Sequence, residues 1–96
     1  MKEERIYKYE LKVTDGQNIS LPIGAKILTV QTQGEKVCLW ALVDPKASTE
    51  LRFFEIFGTG HAVLSDLGTA REYIGTFQMQ GGQGQLVFHV FEYTGV

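Results

Sequence analysis

Apolar and polar residues alternate along most of this chain with a period of two. From Ile6 to Val13, Tyr7, Tyr9, Leu11 and Val13 share one face, and Lys8, Glu10 and Lys12 share the other. That is the pattern of a half-buried antiparallel strand. Asp15-Gly16 follows with turn chemistry. Ile19 and Leu21 alternate again between Asn18 and Pro22. Proline cannot donate a ladder hydrogen bond, so this piece is expected at a sheet edge.

Ala25 to Gln33 and Lys36 to Val43 read as a hairpin turning at Gln33-Gly34-Glu35. In its first arm, alternation places Leu28 with Val30, and Thr29 with Gln31. In its second arm both faces are apolar: Val37, Leu39, Ala41 and Val43 on one, Cys38, Trp40 and Leu42 on the other. A strand covered on both sides is central in its sheet or lies at a subunit contact. Asp44-Pro45 ends it, and a polar loop runs to Glu50.

Leu51 to Phe57 is the densest apolar strand, with Phe53, Phe54, Ile56 and Phe57. It runs directly into the loop Gly58-Thr59-Gly60-His61. Ala62-Val63-Leu64 is expected to pack back as a short extended piece, and Ser65 to Glu72 to form a loop, with or without one helical turn. Tyr73 to Gln80 and Gln85 to Tyr93 form a last hairpin, whose connection Gly81-Gly82-Gln83-Gly84 is expected to be long and mobile. The whole predicts an all-β single domain over residues 1–96: a small antiparallel β-sandwich or open barrel of about six to seven strands. No stretch carries a 3.6-residue period.

Composition changes this picture little. Ninety-six residues suffice for one domain, and 44% hydrophobic with 21% charged residues is an ordinary globular balance. Nine basic residues against 11 acidic ones give a net charge of −2 without a basic patch, which argues against duplex nucleic acid as a partner. The lone cysteine, Cys38, rules out an internal disulfide framework and reads as a small buried hydrophobe. The N-terminal run MKEERIYKYELK has no signal-peptide core, and no run approaches the ~20 apolar residues of a membrane span. These features predict a soluble, intracellular protein.

Candidate chemistry concentrates at Gly58-Thr59-Gly60-His61. Glycines let backbone N–H groups approach an anion, Thr59 adds a hydroxyl, and His61 can donate to a phosphate or stack on a base. The loop is neither a dinucleotide fingerprint nor a Walker loop, since no helix pattern or Gly-Lys-Ser/Thr follows. A plain tight turn is the competing reading. Arg52 and Arg71 flank the stretch and can fork onto a phosphate. Trp40 or Tyr73 can stack a base, although Trp40 also reads as core. His89, between Phe88 and Val90, reads as a satisfied histidine on a sheet face. No HxH, HxxxH or CxxC pair is present, so no metal site and no cofactor are expected. A catalytic centre has little support, a small hydrolase built on His61 or His89 being the enzymatic alternative.

Several segments together resemble a family of short β-rich proteins encoded mainly by phages and prophages. They are LPIGAKIL (21–28), CLWALVD (38–44), FGTGH (57–61), YIGTF (73–77) and LVFHVFE (86–92). The family has no agreed activity. The resemblance implies a setting, a viral accessory protein in the host bacterial cytoplasm. Small accessory proteins of that class include non-catalytic sponges that sequester nucleotide signals of host immunity, such as cyclic nucleotides or ADP-ribose derivatives. The expectation is therefore an anti-defence homo-oligomer that binds a small phosphorylated nucleotide. Thr59, Gly60 and His61 would hold phosphate, Arg52 and Arg71 would supply charge, and Trp40 or Tyr73 would stack the base. The alternative is a protein-binding module, either inhibiting a host protein or serving as a minor phage structural component.

Overall fold

A computed structural model describes residues 2–65 and 68–95. Among the described residues there are seven strands and no helix: β1 (Arg5–Leu11), β2 (Gly16–Pro22), β3 (Lys26–Gln33), β4 (Lys36–Val43), β5 (Thr49–Gly58), β6 (Ala70–Gly81) and β7 (Gly84–Gly95). They form two antiparallel sheets, ordered β1-β4-β3 and β2-β5-β7-β6. Of the two expected architectures, the two-sheet sandwich is the one observed. β4 is the centre of its sheet, as its two apolar faces require, and β2 is an edge that ends at Pro22.

The core lies between the sheets. Leu11, Val30, Val37, Leu39, Ala41 and Val43 come from the three-stranded sheet. Leu21, Phe54, Ile56, Phe77 and Val90 come from the four-stranded one. Within each strand these positions are spaced by two, so one pleat face of each sheet is buried. Glu92 is also buried on this inner face, where Arg52 holds it through two hydrogen bonds, Nε to Oε2 at 2.6 Å and Nη2 to Oε1 at 2.7 Å. Arg52 Nη1 also donates to the Ala25 carbonyl. All of this carboxylate's charge is therefore paired at the end of the core.

Three register shifts alter the strict alternation, one of them at Thr94 of β7, opposite the step from Ala70 to Arg71. In β3 the register shifts between Ile27 and Thr29, so Ile27 and Val30 both face inward opposite Ala41 and Leu39. Leu28, expected beside Val30, is the extra residue and is exposed. In β6 the shift between Tyr73 and Gly75 makes Ile74 the extra residue. Gly75 then meets β3 so closely that a Cβ there would lie 2.9 Å from Val30 Cγ1.

Other boundaries also move. Gly81 pairs with Gly84, so the last hairpin closes on a two-residue turn, Gly82-Gln83, and not on a long mobile connection. Its two twelve-residue strands, each roughly 40 Å long at a strand's rise, run along a slab measuring 49 × 38 × 16 Å. Residues 62–65 carry no strand, and Arg71 donates to the last two of them, Leu64 and Ser65. The loop expected over Ser65 to Glu72 shortens because β6 begins at Ala70, and its Asp66 lies outside the described residues.

Candidate aromatic cleft on the four-stranded sheet

The outer face of the four-stranded sheet is unusually rich in rings. Strand register sets three rows across β5, β7 and β6: Phe53-Tyr93-Arg71, Glu55-Phe91-Tyr73 and Phe57-His89-Thr76. The aromatic side chains meet edge to face. Ring centroids are 6.2 Å apart for Phe53–Tyr93, 5.8 Å for Phe57–Phe91 and 5.4 Å for Tyr73–Phe91. These are the separations at which opposed quadrupoles attract.

Arg71 bridges this carpet. Its Nε donates to Glu55 Oε1 at 2.6 Å, with both side chains more than four-fifths buried. Its guanidinium lies 5.5 Å from the Phe57 centroid and 5.9 Å from that of Tyr93, within cation–π range. The remaining donors reach Ser65 Oγ and the Leu64 carbonyl. Arg71 thus ties the segment after the glycine loop down onto the sheet.

Gly58 to His61 is a tight turn. The His61 amide donates to the Gly58 carbonyl at 3.0 Å, and Gly60 has φ +89°, as a type II turn requires of its third residue. The Thr59 amide donates to the Val87 carbonyl at 3.1 Å. These two N–H groups are therefore committed inside the fold and do not point at a ligand. The His61 ring lies over Gly58, where a Cβ would stand 3.0 Å from its Cε1.

Beside this turn lies a cleft of about 280 Å³, walled chiefly by Phe57, Phe91, Tyr73, Val63, His61 and His89. One wall carries a line of hydrogen bonds. Tyr73 Oη sits beside Thr76 Oγ1, Thr76 Oγ1 lies 3.0 Å from His89 Nδ1, and His89 Nε2 lies 2.8 Å from Thr59 Oγ1. Thr59 Oγ1 in turn lies 3.3 Å from the Val87 carbonyl, which can only accept. With a neutral imidazole, one ordering makes every bond: Tyr73 donates to Thr76, Thr76 to Nδ1, Nε2–H to Thr59, and Thr59 to Val87. That ordering carries the ring hydrogen on Nε2.

The structure gathers five of the seven candidate residues at this face: Thr59, Gly60, His61, Arg71 and Tyr73. Arg52 is not among them. It lies seven residues from Thr59 along β5, roughly 20 Å at a strand's rise, and faces inward toward Glu92. Trp40 is on β4, on the outer face of the other sheet, across the sandwich from the cleft. His89, Thr76, Phe57, Phe91 and Glu55 belong to the site and were not singled out from the sequence as binding residues. For Glu55, Phe57, His89 and Phe91 the shared parity with Thr59 and Tyr73 was the available signal, but it needs the strand order to be used; the bulge at Ile74 shifts Thr76 out of that parity. Among the described residues no three His, Cys, Asp or Glu side chains converge as a metal site would need.

Fold and cleft together define a small antiparallel β-sandwich with an aromatic, partly polar recess on one outer face. The chain belongs to the DUF7352 family, a domain of unknown function, whose profile matches residues 2–95. Neither the curated proteins nor the solved structures contain a match to it. No helix among the described residues is long and apolar enough to cross a membrane.

Proposed function

We propose that this domain is a non-catalytic binding module whose cleft takes the base of a small nucleotide signal. The observation that carries the reading is the pairing of an aromatic wall, Phe57, Phe91 and Tyr73, with the hydroxyl–imidazole line through Thr76, His89 and Thr59. A planar heteroaromatic ring has an apolar face and a polar edge, and this recess offers a counterpart to each. Phosphate would remain at the solvent rim near the exposed His61, because Glu55 neutralises Arg71. Both ring nitrogens of His89 are engaged, which favours sequestration over acid–base chemistry. The family resemblance supplies the setting of this proposal, a phage accessory protein in a bacterial host that lowers the free level of an immune nucleotide.

Isothermal titration against cyclic mono-, di- and trinucleotides and ADP-ribose tests the reading. Binding by at least one, weakened in Tyr73→Ala by the roughly 1–3 kcal/mol that a stacked base contributes, supports it. No binding across the panel would discard it. A protein-binding module is the second reading, favoured by Trp40, Leu42 and the 61% exposed Ile6 on the outer face of the three-stranded sheet.

A further inference from the structure

The sandwich has four sheet edges: β1, β3, β2 and β6. Three carry features that discourage strand addition. β3 and β6 are bulged, and β2 ends in Pro22. β1 has neither. It pairs with β4 over seven residues in unbroken register, contains no proline, and leaves Ile6 61% exposed. Such an edge is a template for another strand.

The sequence of this edge selects its partner. We propose that β1 pairs antiparallel with β1 of a second copy, about a two-fold axis through Ile6. In that register Glu4 faces Lys8 of the partner subunit, and Lys2 faces Glu10 of the partner subunit, each twice by symmetry. Ile6 meets its own copy on the dyad, and Arg5 faces Tyr7 of the partner subunit. Neighbouring registers that keep side chains on matching faces are worse. An axis through Tyr7 opposes Glu4 to Glu10, one through Lys8 opposes Lys8 to itself, and one through Arg5 opposes Lys2 to Lys8.

The groups involved are free to exchange partners. Lys8 now reaches Gln33, and Glu10 reaches Lys36 at 3.6 Å, both on the exposed surface. Residues 2–4 precede β1 without strand pairing and would extend it on association. Ile6, Leu42 and Trp40 lie on one face of the three-stranded sheet and would join their copies across the dyad. The cleft lies on the other sheet, so the dimer and the cleft are tested separately.

Sedimentation velocity over rising concentration, with circular dichroism confirming folding, decides the matter. The unmodified chain is expected at twice the monomer mass. Ile6→Lys and Lys8→Glu are each expected to halve it, and Glu4→Lys combined with Lys8→Glu to restore it. A chain that stays monomeric, or a dimer that survives Ile6→Lys, would overturn the proposal. So would a charge exchange that fails to restore the dimer, because the register would then be wrong.

Discussion

Arg71 on β6 reaches across the whole width of β7 to meet Glu55 on β5, at 2.6 Å and largely out of water. The two strands are not neighbours, so the pair acts as a strut over the sheet, seated between Phe57 and Tyr93. Removing one partner strands the other charge among rings. Arg71→Met or Glu55→Gln alone is expected to cost about 3 kcal/mol, the lower end for breaking a buried pair. In a domain this size that lowers the melting temperature by roughly 12–24 °C. Replacing both with apolar residues should recover most of the loss. Thermal denaturation of the two single variants and the double variant completes the cycle, and purely additive losses would show that the strut is not coupled.

How far the sequence revealed this arrangement follows from the range of each interaction. The β3–β4 hairpin was legible because its turn and both arms lie within Ala25 to Val43. The central place of β4 was legible because both of its faces are apolar. The ion pairs were not, since Arg52 and Glu92 are 40 residues apart and Arg71 and Glu55 are 16 apart. Each arginine could be seen near the apolar strand Leu51 to Phe57, but not the carboxylate that occupies it. Bulges were hidden for another reason. Nothing in the run Lys26-Ile27-Leu28-Thr29-Val30 marks the residue that leaves the ladder; packing against Gly75 and the opposite sheet decides it.

That packing gives a second prediction. Gly75 sits where β6 crosses β3, and its missing Cβ leaves room for the Val30 methyl. Val30 is buried and β-branched, so it has little freedom to rotate away. Gly75→Ala should destabilise the domain by about 1–3 kcal/mol through overpacking. Adding Val30→Ala should recover part of that loss, because the new methyl then fills space that the valine vacates. Urea denaturation of both single variants and the pair measures the coupling, and a double variant less stable than the sum of the singles would contradict the crossing geometry.

Tyr9 supplies a pH signature. Burial, with a smaller contribution from nearby Tyr7, raises its phenol above the ordinary tyrosine range. The folded state therefore holds the proton more tightly than the unfolded state. Below the unfolded value, about 10, this contribution to stability is fully present. As pH rises past it toward the folded value, the unfolded chain binds fewer protons and stability falls. Melting temperatures between pH 8 and pH 11 should drop more steeply for the unmodified chain than for Tyr9→Phe. Parallel curves would mean that Tyr9 ionises as freely when folded as when unfolded. Arg52 adds nothing in this window. Its hydrogen bonds to Glu92 raise an already high value further, so its contribution is lost only at pH values above the range tested.

Tyr73 can separate stacking from hydrogen bonding in the cleft. Its ring meets Phe91 edge to face, and its hydroxyl begins the line that runs through Thr76 to His89. Tyr73→Phe keeps the ring and removes the first donor. Thr76 then still donates to His89 Nδ1, and the rest of the line is intact. Thr76→Val breaks the line in its middle and leaves Nδ1 without its donor. Neither change touches the core, since both side chains are exposed, so folding should hold in both. If a base stacks on Tyr73, its affinity should survive Tyr73→Phe and fall by about 5- to 150-fold in Tyr73→Ala, the range for one stacked base. If the hydroxyls that His89 orients read the edge of the base, Thr76→Val should change which bases bind, and the preference order across the nucleotide panel would move. An unchanged order, with only a uniform loss, would make His89 a structural support for the wall and leave recognition to the rings.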